Sequence, residues 1–365
     1  MFPLHRRTVI LAILFATGAP SVAPGTEPLA AAYRRFTVPA PAGDRDRRLQ
    51  EPEQAPRIGL ALAGGGAKAS ASVGVLRVLR EADIPVEAIA GTSMGALVGG
   101  LTAAGYSPDD IERIFLENDW NDLFTDTPSR MFLTQEQKET GSHHLLQFNF
   151  VGGRFIPPSG LTAGQKFGNL LTARTLAASF QAGFDFDRLP IRFRAVATDL
   201  ETGKAVPVSH GLLQDALRAS AAVPVLFPPV EIDGRTLVDG GLSNNLPVDV
   251  VRDMGVDLVI AVDPSSKLER KEHLTNLREV MDQSISIQVR RETERQARLA
   301  DVVITPDTKA YAFSDFARMD GIMRTGEQAA RAALPAIGKA IAAKRVFTVR
   351  ALLLLTLSTA VFMLS

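Results

Sequence analysis

The sequence contains no cysteine. That absence excludes a disulfide framework, thiolate metal sites and a cysteine nucleophile, and it leaves the redox compartment open. Charge of one sign is missing too: 40 Lys and Arg balance 40 Asp and Glu, for a formal net charge of zero. Nothing in that balance pulls the chain toward nucleic acid or an anionic surface. No basic stripe with interleaved aromatics points to nucleic-acid binding either. Histidine is sparse, at five residues, and internal repeats are absent. What the chain does have is 365 residues, 46% of them hydrophobic, enough for one large domain with a buried core.

Both ends are apolar. Residues 1–23 begin with His5, Arg6 and Arg7 and continue into the apolar run 8–16. A basic start before a short apolar run is the pattern of a signal peptide or, uncleaved, of an N-terminal anchor. Ala19 and Ala23 offer cleavage positions, and the run is short for a span, which favours export. Residues 24–56 mix Pro, Ala and charge without an apolar period and read as a linker. The domain is expected over 57–343. Residues 344–365 form an apolar tail whose uncharged part, 351–365, is shorter than the ~20 residues a straight span needs. Arg350 can snorkel and lengthen it. A helix apolar all round needs burial on every side, so the tail is expected to associate with a membrane.

Within the domain, the apolar run 58–63 predicts a buried strand that ends in Gly64-Gly65-Gly66, and a helix follows over 70–81. A second short strand at 86–90 meets Gly91-Thr92-Ser93-Met94-Gly95, and another helix runs through 104. Strand, glycine turn and helix thus occur twice in succession, which is α/β patterning with parallel strands. Further strands are expected at 191–198, 236–239, 258–262 and 301–304. Helices are expected at 212–221, 246–254, 274–299 and 325–343. The segment 120–161 has no clear period and reads as an excursion from the sheet, a candidate cap over a site. Its phenylalanines, among them Phe124, Phe132 and Phe148, either contact acyl chains or fill the core.

Gly91-Thr92-Ser93-Met94-Gly95 has the spacing G-x-S-x-G. A strand that turns sharply into a helix exposes the Ser93 hydroxyl at the corner, and Gly91 and Gly95 let the backbone pack close. The following helix N-terminus favours developing negative charge. The pentapeptide alone also fits an ordinary βα turn; its place between an apolar strand and an apolar helix supports the catalytic reading. Gly64, Gly65 and Gly66 leave amides free to point at an oxyanion. The loop fails as a phosphate loop, because neither the Walker A spacing nor a third glycine at Ala69 is present. Lys68 suits a phosphate or a solvated loop.

A serine nucleophile needs a base. Asp239, in Leu237-Val238-Asp239-Gly240-Gly241, ends a strand at the edge where Ser93 is expected. A dry pocket would lift its pKa toward that of a general base. The same Asp-Gly pair is also a common turn. His273 would complete a Ser93, Asp239, His273 order as an alternative.

Together these pieces resemble the patatin-like phospholipase family, in particular its bacterial, neuropathy-target-esterase-like branch. The resemblance rests on Gly-Leu-Ala-Leu-Ala-Gly-Gly-Gly-Ala-Lys at 59–68, Gly-Thr-Ser-Met-Gly at 91–95 and Ala-Thr-Asp-Leu-Glu-Thr-Gly at 197–203. It continues with Ala-Ser-Ala-Ala-Val-Pro-Val-Leu-Phe-Pro at 219–228 and Asp-Gly-Gly-Leu-Ser-Asn-Asn-Leu-Pro at 239–247. It implies a three-layer α/β/α fold with a mainly parallel central sheet. It implies a Ser93–Asp239 dyad without histidine, acting through an acyl-enzyme, with the oxyanion held by the Gly64–Gly66 loop. The expected substrates are phospholipids or lysophospholipids at a membrane surface, without calcium or another cofactor. The expected location is the bacterial periplasm or its membranes. Two departures stand out: Ala69 replaces a further glycine, with an expected restriction of the loop, and Ser72 stands where a histidine is common. A weak lipid binder, a protease or non-lipid esterase, and a membrane protein that merely carries the fold are the competing functions.

Overall fold

Eight strands pair into one sheet, in the order β10-β9-β1-β2-β5-β8-β7 with β6 added on β5. The computed structural model describes residues 55–125, 149–151, 154–156, 162–265, 287 and 289–364, with backbone alone for 149–151, 154–156 and 346–364. The expected signal or anchor at 1–23, nearly all of the linker at 24–56, most of the excursion 120–161, and His143, His144 and His273 lie outside these residues. The described residues belong to one compact unit.

The parallel core consists of β1 (Ile58–Leu62), β2 (Ala88–Thr92), β5 (Arg192–Asp199), β9 (Leu258–Val262) and β10 (Val302–Ile304). The antiparallel part is β6 (Ala205–Val208), β7 (Val230–Ile232) and β8 (Arg235–Asp239). A separate hairpin pairs β3 (Asn149–Val151) with β4 (Arg154–Ile156).

Alternation along the strands builds the two outer layers. On β1, Ile58, Leu60 and Leu62 face the larger core, whereas Ala61 and Ala63 face the smaller one. The larger core packs α1 (Ala71–Glu81), α2 (Met94–Ala103), α3 (Pro108–Glu117), α5 (Gln165–Gln181), α6 (Leu213–Ser220) and the start of α9 (Met319–Leu364). Short α4 (Trp120–Leu123) lies between α3 and α5 in sequence. The smaller face is nearly all alanine and valine and packs α7 (Val248–Asp253) and helix α8 over 289–297. The three-layer α/β/α arrangement with a mainly parallel sheet is therefore as expected.

Local chemistry sets several boundaries. Ser107 accepts from the Asp110 amide while Asp110 accepts from the Ser107 amide, and Pro108 occupies the first turn of α3, a capping box that satisfies two end groups. Arg77 on α1 reaches Asp109 at 3.2 Å and Glu112 on α3, and Glu327 on α9, with its side chain only 16% exposed. Three helices are thus tied at one guanidinium. The expected helix at 325–343 is longer in the structure. It starts at Met319 and its backbone stays helical through the apolar tail to Leu364, because no glycine or proline follows Ala343. Among residues with described side chains, no helix is long and apolar enough to cross a membrane. Side chains of the tail from 346 onward lie outside that description.

The described beginning of the 120–161 excursion is core. Trp120 is buried, donates its indole N–H to the Phe115 carbonyl at 2.8 Å and stacks between Phe115 and Phe316. Phe124 joins Phe167, Phe227 and Phe316 at centroid distances of 5.6, 5.7 and 5.1 Å.

Candidate active site

Two strand ends meet head to head. Ala195 and Val196 on β5 pair with β2 on one side and β6 on the other; Ala197 and Thr198 pair with β8 and again with β6. A strand has two edges, so β2 and β8 share one edge of β5 and run toward each other along it. Thr92 sits opposite Val196 and Asp239 opposite Ala197. The residue after β2 is Ser93. Parallel and antiparallel pairing on one guide strand thus brings a serine and an aspartate, distant in sequence, into contact at the carboxyl ends of their strands.

Ser93 has φ 53° and ψ −126°, a conformation that costs a non-glycine residue about 1–3 kcal/mol. It is over-determined by its surroundings. A Cβ on Gly95 would fall 2.4 Å from the Ala63 carbonyl, and one on Gly91 2.6 Å from the Gly95 carbonyl. The glycines of the pentapeptide therefore allow α2 to leave the sheet at a close crossing. Ser93 is buried, and its side chain lies beside the Asp239 carboxylate, close enough to lower its pKa.

Asp239 is buried as well. Its Oδ1 accepts the Gly241 amide at 2.7 Å, its own amide donates to the Ala222 carbonyl, and its carbonyl accepts the Thr198 hydroxyl at 2.8 Å. Burial pushes its pKa from about 3.8 to about 6, against the opposing pull of the Ser93 side chain and the Gly241 amide. A carboxylate near 6 is ionised at neutral pH yet far more basic than an exposed one.

The glycine loop closes a third side. A Cβ on Gly64 would lie 3.0 Å from Ser93 Cβ and 2.8 Å from Asn245 Oδ1. The Gly64 amide is committed to the Asn245 carbonyl at 3.2 Å, and the Ala67 amide to the Phe313 carbonyl at 2.9 Å. Gly65 and Gly66 lie between these two anchored amides, with φ 148° and 54°. Ala69, expected to restrict the loop, is buried inside the 3-10 turn Gly66–Ser70 and is not among the positive-φ residues. Lys68 is half-buried on that turn. His210, the histidine among the described residues, is exposed and lies 3.2 Å from Asp233. His273, the member of the alternative triad, falls outside the described residues.

Sequence reasoning missed the hydroxyls that hold these backbones. Ser220 Oγ accepts the Ser93 amide at 2.9 Å, Thr198 holds the Asp239 carbonyl, and Thr92 donates to the Asn244 carbonyl at 2.8 Å. Their motifs were visible, but a hydroxyl's aim has no signature in sequence.

Comparison with known proteins shows the family. The family described as patatin-like phospholipase matches residues 60–252, just over half of the chain. The chain belongs to the patatin-like phospholipase family. Within it, an uncharacterized NTE family protein of Mycobacterium tuberculosis is 36% identical over 228 residues, covering 62% of this chain and 52% of that protein. The patatin-like phospholipase domain-containing protein 7 of Rattus norvegicus is 29% identical over 300 residues, 74% of this chain and 20% of that protein. The chain spans about half the length of the mycobacterial relatives. Among solved structures, human GIVD cytosolic phospholipase A2 bound to methyl gamma-linolenyl fluorophosphonate aligns with a TM-score of 0.43 at 13% identity, over 88% of this chain and 64% of that one. ExoU of Pseudomonas aeruginosa in its complex with SpcU aligns at 0.38 and 17%, over 79% and 52%. The family match spans the glycine loop, Ser93 and Asp239 together.

Proposed function

We propose that this patatin-family chain is a serine acyl-ester hydrolase of phospholipids or lysophospholipids, working through a Ser93–Asp239 dyad without calcium. The observation that carries the reading is the Ser93 side chain set beside the buried Asp239 carboxylate, whose pKa burial raises to about 6. Asp239 takes the Ser93 proton as Oγ attacks the ester carbonyl. The carbonyl oxygen becomes an oxyanion facing the Gly65 and Gly66 amides and the first amides of α2, which lack partners within the helix. Collapse expels the alcohol, which leaves with the proton from Asp239. Water then loses a proton to Asp239 and attacks the acyl-enzyme, and Ser93 regains its proton as the fatty acid departs.

The family supports a lipid ester over other acyl compounds, and the apolar ends of the sequence support delivery to a membrane. Export and membrane attachment belong to this proposal. They predict that the full chain pellets with membranes and that removing residues 346–365 shifts it toward the soluble fraction.

The test uses the full chain in mild detergent with p-nitrophenyl esters of several lengths and with lysophospholipid. Ser93→Ala and Asp239→Asn should each remove hydrolysis by at least about 1,000-fold. Activity that survives Asp239→Asn and disappears in His273→Ala would assign a triad instead. A folded, inactive wild type would leave a lipid-binding protein.

A further inference from the structure

The seam between β2 and β8 leaves two backbone groups in want of partners. Ladder pairing of β2 with β5 ends at Thr92 and Val196, and β8 takes over at Ala197. The Ser93 amide lies just past the end of the ladder, turned away by φ 53°. The Val196 carbonyl faces the same gap, where a Cβ on Gly240 would lie 2.1 Å from it. Buried amides and carbonyls are almost always paired, and here one side chain pairs both. Ser220, the last residue of α6, is fully buried. Its hydroxyl accepts the Ser93 amide at 2.9 Å and donates to the Val196 carbonyl at 2.5 Å.

We propose that Ser220 is a positioning residue for the nucleophile: its hydroxyl links the Ser93 amide to the sheet and so fixes the direction in which Ser93 Oγ points. The inference rests on the reading of Ser93 as nucleophile. One oxygen atom spans the gap that a direct ladder bond would close if Ser93 continued the strand. It lets Ser93 take its left-handed turn without leaving an unpaired buried donor. It also engages the Ser93 amide, so that amide is not an oxyanion donor. Asp239 is held by other groups, Thr198, Gly241 and Ala222. Removing the Ser220 hydroxyl therefore loosens the nucleophile and leaves the base in place.

The experiment compares wild type, Ser93→Ala, Ser220→Ala and Ser220→Cys as full chains, all checked for a cooperative melt. Each is treated with a long-chain alkyl fluorophosphonate. In this reaction Ser93 Oγ bonds to phosphorus, fluoride leaves with the P–F electron pair, and the hydroxyl proton passes to Asp239. Adduct formation is followed by intact mass, and kcat and KM are measured on a p-nitrophenyl ester. Wild-type labelling that Ser93→Ala abolishes establishes the nucleophile; its failure refutes that reading and this one with it. Given that labelling, Ser220→Ala should slow adduct formation and kcat by about 10- to 100-fold, with KM within about twofold and the acid limb of the pH profile unmoved. Ser220→Cys, close in volume and a poor hydrogen-bonding group, should fall in the same direction. It carries the test if the alanine variant does not fold. A folded variant that labels at the wild-type rate overturns the proposal. So does a loss matched by an equal loss of folded protein, or one accompanied by a moved acid limb.

Discussion

Replacing Asp239 with asparagine should abolish turnover and stabilise the fold, and the second effect should depend on pH. Asp239 titrates at about 6 in the folded protein, against about 3.8 ordinarily, because burial disfavours its charge. That displacement corresponds to about 3 kcal/mol. The native state holds the proton more tightly than the unfolded chain does. Below about pH 3.8 both states are protonated and the burial penalty is absent. As the pH rises toward 6 the unfolded chain ionises first, so stability declines, and above 6 the full penalty is present. The Asp239→Asn variant is neutral throughout and can still accept from the Gly241 amide. Its stability gain over wild type should therefore grow from near zero at pH 4 to as much as about 3 kcal/mol at pH 8. Urea unfolding of both proteins across that range measures the gap. In parallel, wild-type kcat/KM should fall about tenfold per pH unit below a midpoint near 6, as the base becomes protonated. A gap that stays flat with pH, or an activity limb centred near 4, would refute the burial argument.

Gly66 has φ 54°, and a Cβ there would meet the Phe313 carbonyl at 2.4 Å; Gly66→Ala should cost about 1–3 kcal/mol of stability and lower kcat more than it raises KM, read by urea melts and steady-state kinetics. Arg77→Ala would leave Asp109 and Glu112 on α3 and Glu327 on α9 without their shared guanidinium. It should destabilise by about 1–3 kcal/mol after allowance for the exposure of the acids, with kcat of the folded fraction unchanged. Hydrolysis by the full chain should be indifferent to calcium chelation, since each proposed step uses groups of this chain; a loss restored by added calcium would contradict the scheme.

β1 and β9 were readable because they are continuous apolar runs, and 258–262 matches β9 residue for residue. β2 begins and ends two residues later than expected, since Gly91 and Thr92 stay in the ladder right up to the turn. The antiparallel edge was less legible. β6 is four residues with Pro207 among them, and β7 is three half-exposed residues, too short to show a period. α5 escaped because Leu176 and Phe180, exposed on its outer side, blur the stripe made by Phe167, Leu171 and Ala178. Ser93, Asp239 and the glycine loop stand in motifs whose chemistry can be read from residue type. The Gly64 amide could not be assigned that way, because its partner, the Asn245 carbonyl, comes from a segment far along the chain.

The head-to-head meeting of β2 and β8 also bears on how such a protein can change. The spacing of Ser93 and Asp239 is a matter of register on one short stretch of β5, not of the length of chain between them. Segments inserted in the loops between α2 and β5 leave Thr92 opposite Val196 and Asp239 opposite Ala197. A slip of β8 by a single residue, by contrast, would carry Asp239 about 3.4 Å along the strand and away from Ser93. Loops away from these pairings are thus free to diversify while a few backbone pairings act as the gauge that keeps Ser93 and Asp239 together.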